Sequence, residues 1–127
     1  MVTMRKVRGF TMIELLVTLA IIAMLVTLAA PRYFGSIERT KEDVLREDLY
    51  ILRNAIDHYY ADRNVYPAEL KDLVKEKYLR SLPVDPYTQS ANSWKVVAAT
   101  DASLGVVADV KSGAPAVARD GSKVADW

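Results

Sequence analysis

Apolar residues fill the first part of the chain almost without interruption. From Phe10 to Ala30 there are 21 residues, and Glu14 is the one charged side chain among them. At about 1.5 Å per residue, a helix of this length spans about 31 Å, close to the hydrocarbon core of a bilayer at about 30 Å. The pattern predicts a transmembrane helix over residues 10–30, preceded by a short basic segment, residues 1–9.

Beyond Pro31 the apolar residues recur at three- and four-residue steps, which is the period of one helix face. The stripe comprises Ile37, Val44, Leu45, Leu49, Leu52, Ala55, Ile56 and Tyr59, with charged residues such as Glu42 and Arg53 on the opposite side. Residues 31–64 are therefore expected to continue the helix as an amphipathic segment. Pro31 is expected to bend it, because proline lacks a backbone donor and clashes with the preceding turn. Asn64 is the expected C-cap, just before Tyr66 and Pro67.

The remaining residues, 65–127, are expected to form a small head. A second helix should start at Pro67 and bury an apolar face over about three turns. The two prolines of Leu82-Pro83-Val84-Asp85-Pro86-Tyr87 predict an extended turn. From Ser112 onward, small residues and turn formers predict an irregular terminal loop.

Two runs in the head, residues 94–99 and 105–111, are rich in valine and predict an antiparallel hairpin. By alternation, Trp94, Val96 and Ala98 should share one face, and Val106, Ala108 and Val110 should share a face of the second strand. Packed on the apolar stripe of the long helix, these strands complete an α+β fold. The predicted architecture is thus a long N-terminal helix on a small antiparallel sheet.

Glu14 is costly in a transmembrane segment. Mild insertion scales assign about 3 kcal/mol to an acid at the centre of a membrane helix, so a partner for the carboxylate is expected. If the chain were cut between Gly9 and Phe10, the new α-amino group would lie about one helical turn from Glu14, in the same subunit or in a neighbour. An effect of Glu14 on the helix dipole alone is worth about 0.3–1 kcal/mol, which is too small to offset burial.

The stretch RGFTMIELLVTLAIIAMLVTLAAPR resembles the class III signal sequence of type IV pilins and type II secretion pseudopilins. The resemblance implies that prepilin peptidase cuts after Gly9 and N-methylates Phe10. It also implies that Glu14 guides assembly into a helical filament and that Pro31 is the helix-kinking proline. An ordinary secretory signal is disfavoured, because Glu14 interrupts the apolar run and the run exceeds the usual 7–15 residues.

The charges indicate a topology rather than a ligand. The net charge is +1, and residues 1–9 hold three basic side chains and no acid, so the chain without them carries −2. Basic residues before a first membrane helix keep the N-terminus in the cytoplasm and send the C-terminal domain to the periplasm. The other lysines and arginines are interspersed with acids, and no patch suggests nucleic acid. A single-pass inner-membrane protein is expected.

Two features of the head extend the resemblance to the major pseudopilin of type II secretion. One is the pattern NVYP followed by YLRSLPVDPY, and the other is the absence of cysteine. The absence excludes a disulfide. The major pseudopilins resemble this chain in lacking one and use calcium there instead, so the resemblance implies a calcium site. Asp120 and Asp126 flank Gly121 in the terminal loop and supply the oxygen ligands that calcium prefers. The alternative interpretation is a simple Asp-Gly turn.

Catalysis is poorly supported by the sequence. His58 is the one histidine, and it has no paired nucleophile or metal-ligand set, so a helix-surface or packing position is expected. The sequence favours a structural subunit of a short periplasmic pseudopilus, assembled with other pseudopilins and an inner-membrane platform. Two alternatives stay open: a type IV pilin of a surface fibre for adhesion, motility or DNA uptake, and a monomeric, signal-anchored periplasmic binding domain.

Overall fold

The computed structural model describes residues 2–127. In chain order the elements are helix α1 (Met12–Arg63), helix α2 (Leu70–Lys75), strand β1 (Lys95–Val97), a 3₁₀ turn (Ala102–Leu104), strand β2 (Asp109–Lys111) and a 3₁₀ turn (Val124–Asp126). The chain divides into two compact units, the first ending at Ile37 and the second comprising Glu38–Trp127. The long helix and the small antiparallel sheet confirm the predicted α+β class.

The first unit is the apolar part of α1. Every large apolar side chain from Met12 to Leu28 is at least half exposed. Two threonine hydroxyls within it donate to main-chain oxygens one turn back, Thr18 to Glu14 O at 2.7 Å and Thr27 to Ala23 O at 2.8 Å. Among the described residues, α1 is the one helix that is long and apolar enough to cross a membrane. Pro31 lies inside the helix, and the bend stays a prediction.

The core of the second unit is built on the predicted stripe of α1. Six residues of that stripe are buried: Leu45, Leu49, Leu52, Ala55, Ile56 and Tyr59. Of the other two residues of the stripe, Val44 is exposed and Ile37 is half-buried. Each buried leucine contributes about 1.5–3 kcal/mol relative to an exposed one. His58 is exposed on α1, as expected for a helix-surface residue.

The polar side of α1 is less simple than the sequence predicts. Glu42 is only 8% exposed, and Arg53 reaches the second strand and the end of the described chain. The expectation that both residues face solvent is wrong. A helix that contacts both a sheet and a terminal segment buries more of its circumference, a wider arc, than a single apolar stripe covers. Glu42 and Arg53 lie at the borders of that arc.

The end of α1 follows the predicted capping chemistry. Asn64 has a positive φ of 57°, and its N–H donates to Tyr60 O at 2.7 Å. Asparagine tolerates this left-handed conformation better than most residues, which suits it to the position after a helix. The C-cap prediction for Asn64 is confirmed.

Helix α2 is shorter than predicted and starts later. Its first residue is Leu70 rather than Pro67, and a reciprocal capping box joins the N-cap residue Glu69 to Asp72. Lys77, with φ 64°, ends the helix, because the Tyr78 N–H donates to Leu73 O at 2.8 Å and closes a Schellman-type turn. Local capping thus stops α2 at Lys75, before the three turns that its apolar residues suggest.

The two strands pair as predicted, although their buried faces differ from the prediction. The register is antiparallel and places Val96 opposite Val110. Trp94 and Val110 are buried, but Val96 and Val106 are exposed, and Val107 is fully buried instead. The Val107 N–H donates to Pro67 O at 3.0 Å, outside the strand ladder. Because side chains alternate along an extended chain, a shift of one residue exchanges the buried and exposed faces. The prediction that Val106 faces the core is therefore wrong.

The proline-rich turn is organised around Asp85. This side chain is fully buried. One carboxylate oxygen accepts the N–H groups of Tyr87 at 2.8 Å and Thr88 at 3.4 Å, and the other accepts the Ser112 hydroxyl at 2.5 Å. The Asp85 charge also helps to raise the pKa of Asp48 on α1, after the larger effect of burial. Asp85 therefore ties the turn to the segment that follows β2.

Candidate processing and assembly site

Gly9 and Phe10 lie in an exposed, irregular segment just before α1. The Phe10 side chain is 88% exposed. A Cβ atom built on Gly9 would have no heavy atom within 4 Å. The peptide bond between the two residues is therefore open on the free chain, as a protease substrate requires.

Glu14 and Thr11 form a capping box at the start of α1. The Thr11 N–H donates to Glu14 Oε2 at 3.0 Å, and the Glu14 N–H donates to Thr11 Oγ1 at 3.2 Å. Each residue satisfies a backbone donor that the first helical turn leaves free. Thr11 is not among the site residues predicted from the sequence. Its signal is a Thr-x-x-Glu pattern immediately before an apolar run.

The capping box leaves Glu14 able to take a second partner. Among residues 2–127, the Thr11 N–H is the one hydrogen-bond donor to its carboxylate. An ionised carboxylate has about four acceptor positions. An amine placed next to Thr11, where a new N-terminus at Phe10 would lie, could bind the free positions without breaking the cap. The assembly role of Glu14 stays a prediction.

The terminal loop contains Asp120 in a tight turn. Asp120 Oδ1 accepts the Ser122 N–H at 2.9 Å and the Ser122 hydroxyl at 2.6 Å. Gly121 has φ 86°, a conformation that favours glycine, and its N–H donates to Ala118 O at 3.0 Å. The Ser122 hydroxyl, then its amide, and more weakly the Arg46 charge lower the pKa of Asp120. The Asp-Gly turn considered as an alternative is therefore present.

The calcium prediction rests on Asp120 and Asp126. Asp126 is exposed and lies in the last 3₁₀ turn. The described residues contain no group of three or more His, Cys, Asp or Glu side chains that could hold a metal. Calcium takes six to eight oxygen ligands, so two carboxylates do not make a site unless main-chain oxygens complete it. Calcium binding stays a prediction.

A calcium titration of the full chain in detergent micelles tests this prediction. A cation that binds the folded state must raise the free energy of unfolding, by about 2.7 kcal/mol at 100 times its Kd, and with it the midpoint of thermal unfolding. Such a gain corresponds to about 10 °C or more for a unit of this size. Asp126→Asn should remove the shift, while Asp101→Asn, in another exposed turn, should retain it. An unchanged midpoint with the original chain would reject calcium.

Side chains of α1 hold the terminal segment in place without a disulfide. Glu42 accepts the Arg119 N–H at 2.7 Å and pairs with its guanidinium at 3.3 Å. The Arg53 guanidinium donates to Asp109 Oδ1 and to Trp127 O, both at 2.8 Å. The Arg46 guanidinium carbon lies 4.2 Å from the centre of the Trp127 ring. This set of contacts is the terminal clamp.

The terminal segment is irregular for most of its length, as predicted, but the terminal clamp holds it against α1. Val117 pairs with Lys123 in an antiparallel bridge, and Ala114, Ala118 and Val124 are buried in the core. The contacts of the terminal clamp could not be predicted from the sequence, because their partners are 56 to 81 residues apart. Neither local pattern nor periodicity reports such pairs.

Comparison with known proteins finds a family model for the N-terminal motif and relatives for a larger share of the chain. Residues 4–30 match the family model of the prokaryotic N-terminal methylation motif. The chain is 34% identical over 98 residues to the type II secretion system core protein G of Escherichia coli (strain K12), covering 65% of this chain and 68% of that protein. The protein of the same name from Vibrio cholerae is 31% identical over 99 residues, which cover 66% and 68%.

A second kind of relative is also similar. Fimbrial protein EcpC of Eikenella corrodens is 32% identical over 123 residues, covering 91% of this chain and 78% of that protein. No solved structure matches the chain.

Proposed function

The chain belongs to the family of the type II secretion system core protein G, a pseudopilin family, and we propose that it is a subunit of a short periplasmic filament supporting protein export. The methylation motif over residues 4–30 carries the proposal. It coincides with the exposed Gly9–Phe10 bond and the capped start of an uncovered apolar helix. A subunit that is inserted, cut and then polymerised needs each of these features.

Maturation is the first step of the proposed pathway. The chain inserts once into the inner membrane with residues 1–9 in the cytoplasm and the head in the periplasm, as the basic leader favours. Prepilin peptidase then hydrolyses the bond after Gly9 and adds one methyl group to the amine of Phe10. The new N-terminus follows directly before the Thr11–Glu14 capping box.

Assembly is the second step. Apolar helices of neighbouring subunits pack side by side, which covers the side chains from Met12 to Leu28 that the single chain leaves exposed. The Glu14 carboxylate pairs with the Phe10 amine of a neighbour, because a charge in the helix bundle needs a partner. Other pseudopilins and the inner-membrane platform are the partners of this step. The chain acts as the substrate of an enzyme and has no catalytic role of its own.

Intact-mass measurement of the chain purified from membranes tests the maturation step. The expected product lacks residues 1–9 and carries one additional methyl group. A retained leader would contradict the proposal and favour a monomeric, signal-anchored domain. Cysteine cross-linking between neighbouring apolar helices then tests polymerisation separately.

A surface-exposed type IV pilin is the second candidate, and the similarity to fimbrial protein EcpC is the observation that favours it. The two candidates differ in what the cell loses without the chain. Loss of a pseudopilin leaves secreted proteins in the periplasm. Loss of a pilin removes surface fibres while secretion continues. Fractionation of a deletion strain, together with electron microscopy of its surface, distinguishes the two.

Gly9→Val is expected to block cleavage without changing the fold. The position is open on the free chain, so a larger side chain meets no neighbour there. A loss of processing would therefore arise in the peptidase site, where the added methyl groups clash. Immunoblotting should show only the unprocessed chain, with an unchanged thermal midpoint. Val7→Ala, two residues upstream of Gly9, is the control and should be processed normally.

A further inference from the structure

Two exposed aromatic residues lie just beyond the apolar run. Tyr33 and Phe34 are 67% and 64% exposed, and their rings meet edge to face at 6.1 Å. They are large, mostly exposed apolar side chains between Arg32 and Glu38, the first two charged residues of α1 after Glu14. The described residues of the first unit cover neither ring. Packing in the hydrophobic core therefore does not explain why two aromatic residues stand here.

The position of the pair along α1 matches the edge of a bilayer. From Met12, the first residue of the helix, to Phe34 there are 22 residue steps, or about 33 Å. The hydrocarbon core is about 30 Å thick. With the helix start at the cytoplasmic edge, both rings therefore lie just outside the opposite edge, among the headgroups. Aromatic side chains are enriched at that level of membrane proteins, since one end is apolar and the other tolerates water.

Two occupants compete for this surface. A shallow groove of about 290 Å³ is lined by Val26, Ala29, Ala30, Tyr33 and Phe34, and the helix of a second copy or lipid could fill it. The neighbouring polar groups favour lipid. Arg32 is exposed beside the pair and can bind lipid phosphate, and the Tyr33 hydroxyl sits on an exposed ring. A helix interface built only from small apolar residues would not need either group.

We propose that Tyr33 and Phe34 form an interfacial anchor that holds the subunit at a fixed depth in the outer headgroup layer of the inner membrane. The partner is the phospholipid bilayer itself. The anchor rests on the proposed membrane insertion. It adds a contact on the periplasmic side that limits how far the helix can move across the bilayer. A subunit entering the filament must lift these two rings from the interface.

Nitroxide labels report depth, and the chain contains no cysteine, so single-cysteine variants need no background substitutions. Full chains are labelled at Ile22, Gly35 or Tyr50 in vesicles of phosphatidylethanolamine and phosphatidylglycerol. A side chain fits at Gly35, because its Cβ would meet no atom within 4 Å. Collisions with oxygen and with a water-soluble nickel chelate give the depth. The expected order is the bilayer centre for Ile22, the headgroups for Gly35 and water for Tyr50.

The anchor is tested by combining the Gly35 label with Tyr33→Ala and Phe34→Ala. Collisions of this label with the nickel chelate should rise towards the value for the Tyr50 label. The control, Val44→Ala, changes another exposed apolar residue of α1 and should have no effect.

A shielded Ile22 label with an unaffected Gly35 label would overturn the anchor alone. An unshielded Ile22 label would overturn the membrane insertion as well. Spin–spin broadening of the Gly35 label would show a second copy on this surface and reject lipid as the occupant.

Discussion

Replacing Glu14 by glutamine is expected to abolish filament assembly while leaving cleavage after Gly9 intact. Glutamine retains an oxygen that accepts the Thr11 N–H, so the capping box and the helix start persist. It loses the negative charge, and with it the attraction to a neighbour's amine. A hydrogen bond to a charged group is worth about 1.5–3 kcal/mol, so each contact becomes about 10 to 100 times weaker. In a polymer every subunit repeats this loss.

Two readouts separate assembly from processing. Intact mass reports cleavage, and cross-linked ladders or sheared filaments report assembly. Thr18→Val is the control, because it removes a hydroxyl that donates to the main chain of the same helix without changing charge. This variant should assemble normally. A normal filament yield from Glu14→Gln would contradict the proposed pairing, and a failure of cleavage would assign Glu14 to peptidase recognition instead.

Replacing Asp85 by alanine is expected to destabilise the head strongly. The side chain is fully buried, and its removal leaves the Ser112 hydroxyl and the Tyr87 N–H without their acceptor. Unsatisfied buried groups cost about 1–3 kcal/mol each. A total loss of about 3 kcal/mol would lower the thermal midpoint by about 15 °C for a unit of this size. Circular dichroism of the full chain in micelles measures the shift.

The matched control for Asp85 is Asp101, an aspartate that closes another turn. Asp101 is exposed and accepts the Ser103 N–H at 2.9 Å and the Ser103 hydroxyl at 2.7 Å. Its replacement by alanine should cost about 1 kcal/mol, typical of a lost cap. The comparison isolates burial, since both side chains accept similar bonds. Equal shifts for the two variants would show that burial of Asp85 contributes nothing.

The sequence predicts what depends on local order along the chain. The apolar run, the stripe from Leu45 to Tyr59 and the left-handed Asn64 are all set by neighbours within one or two turns, and all three appear in the structure. Val106 shows the limit of this reasoning. Alternation fixes two possible faces, and a contact as distant as that between Val107 and Pro67 decides between them.

The same limit applies to the candidate sites. The chemistry of Gly9, Phe10 and Glu14 is readable because the motif is contiguous, and Thr11 could have been found from its spacing to Glu14. The pairing of Glu42 with Arg119 could not be found, because an ion pair across 77 residues leaves no periodic signal. The sequence predicts Asp85 only as part of a turn, and its burial shows why an aspartate is needed there.

The terminal clamp has a mechanical consequence for a subunit that works in a filament. It joins three points on α1, at Glu42, Arg46 and Arg53, to the last residues of the described chain. A load applied to the helix is therefore transmitted to the terminal segment through side chains as well as along the backbone. The head is expected to resist being peeled from its helix, since the clamp and the core must fail together.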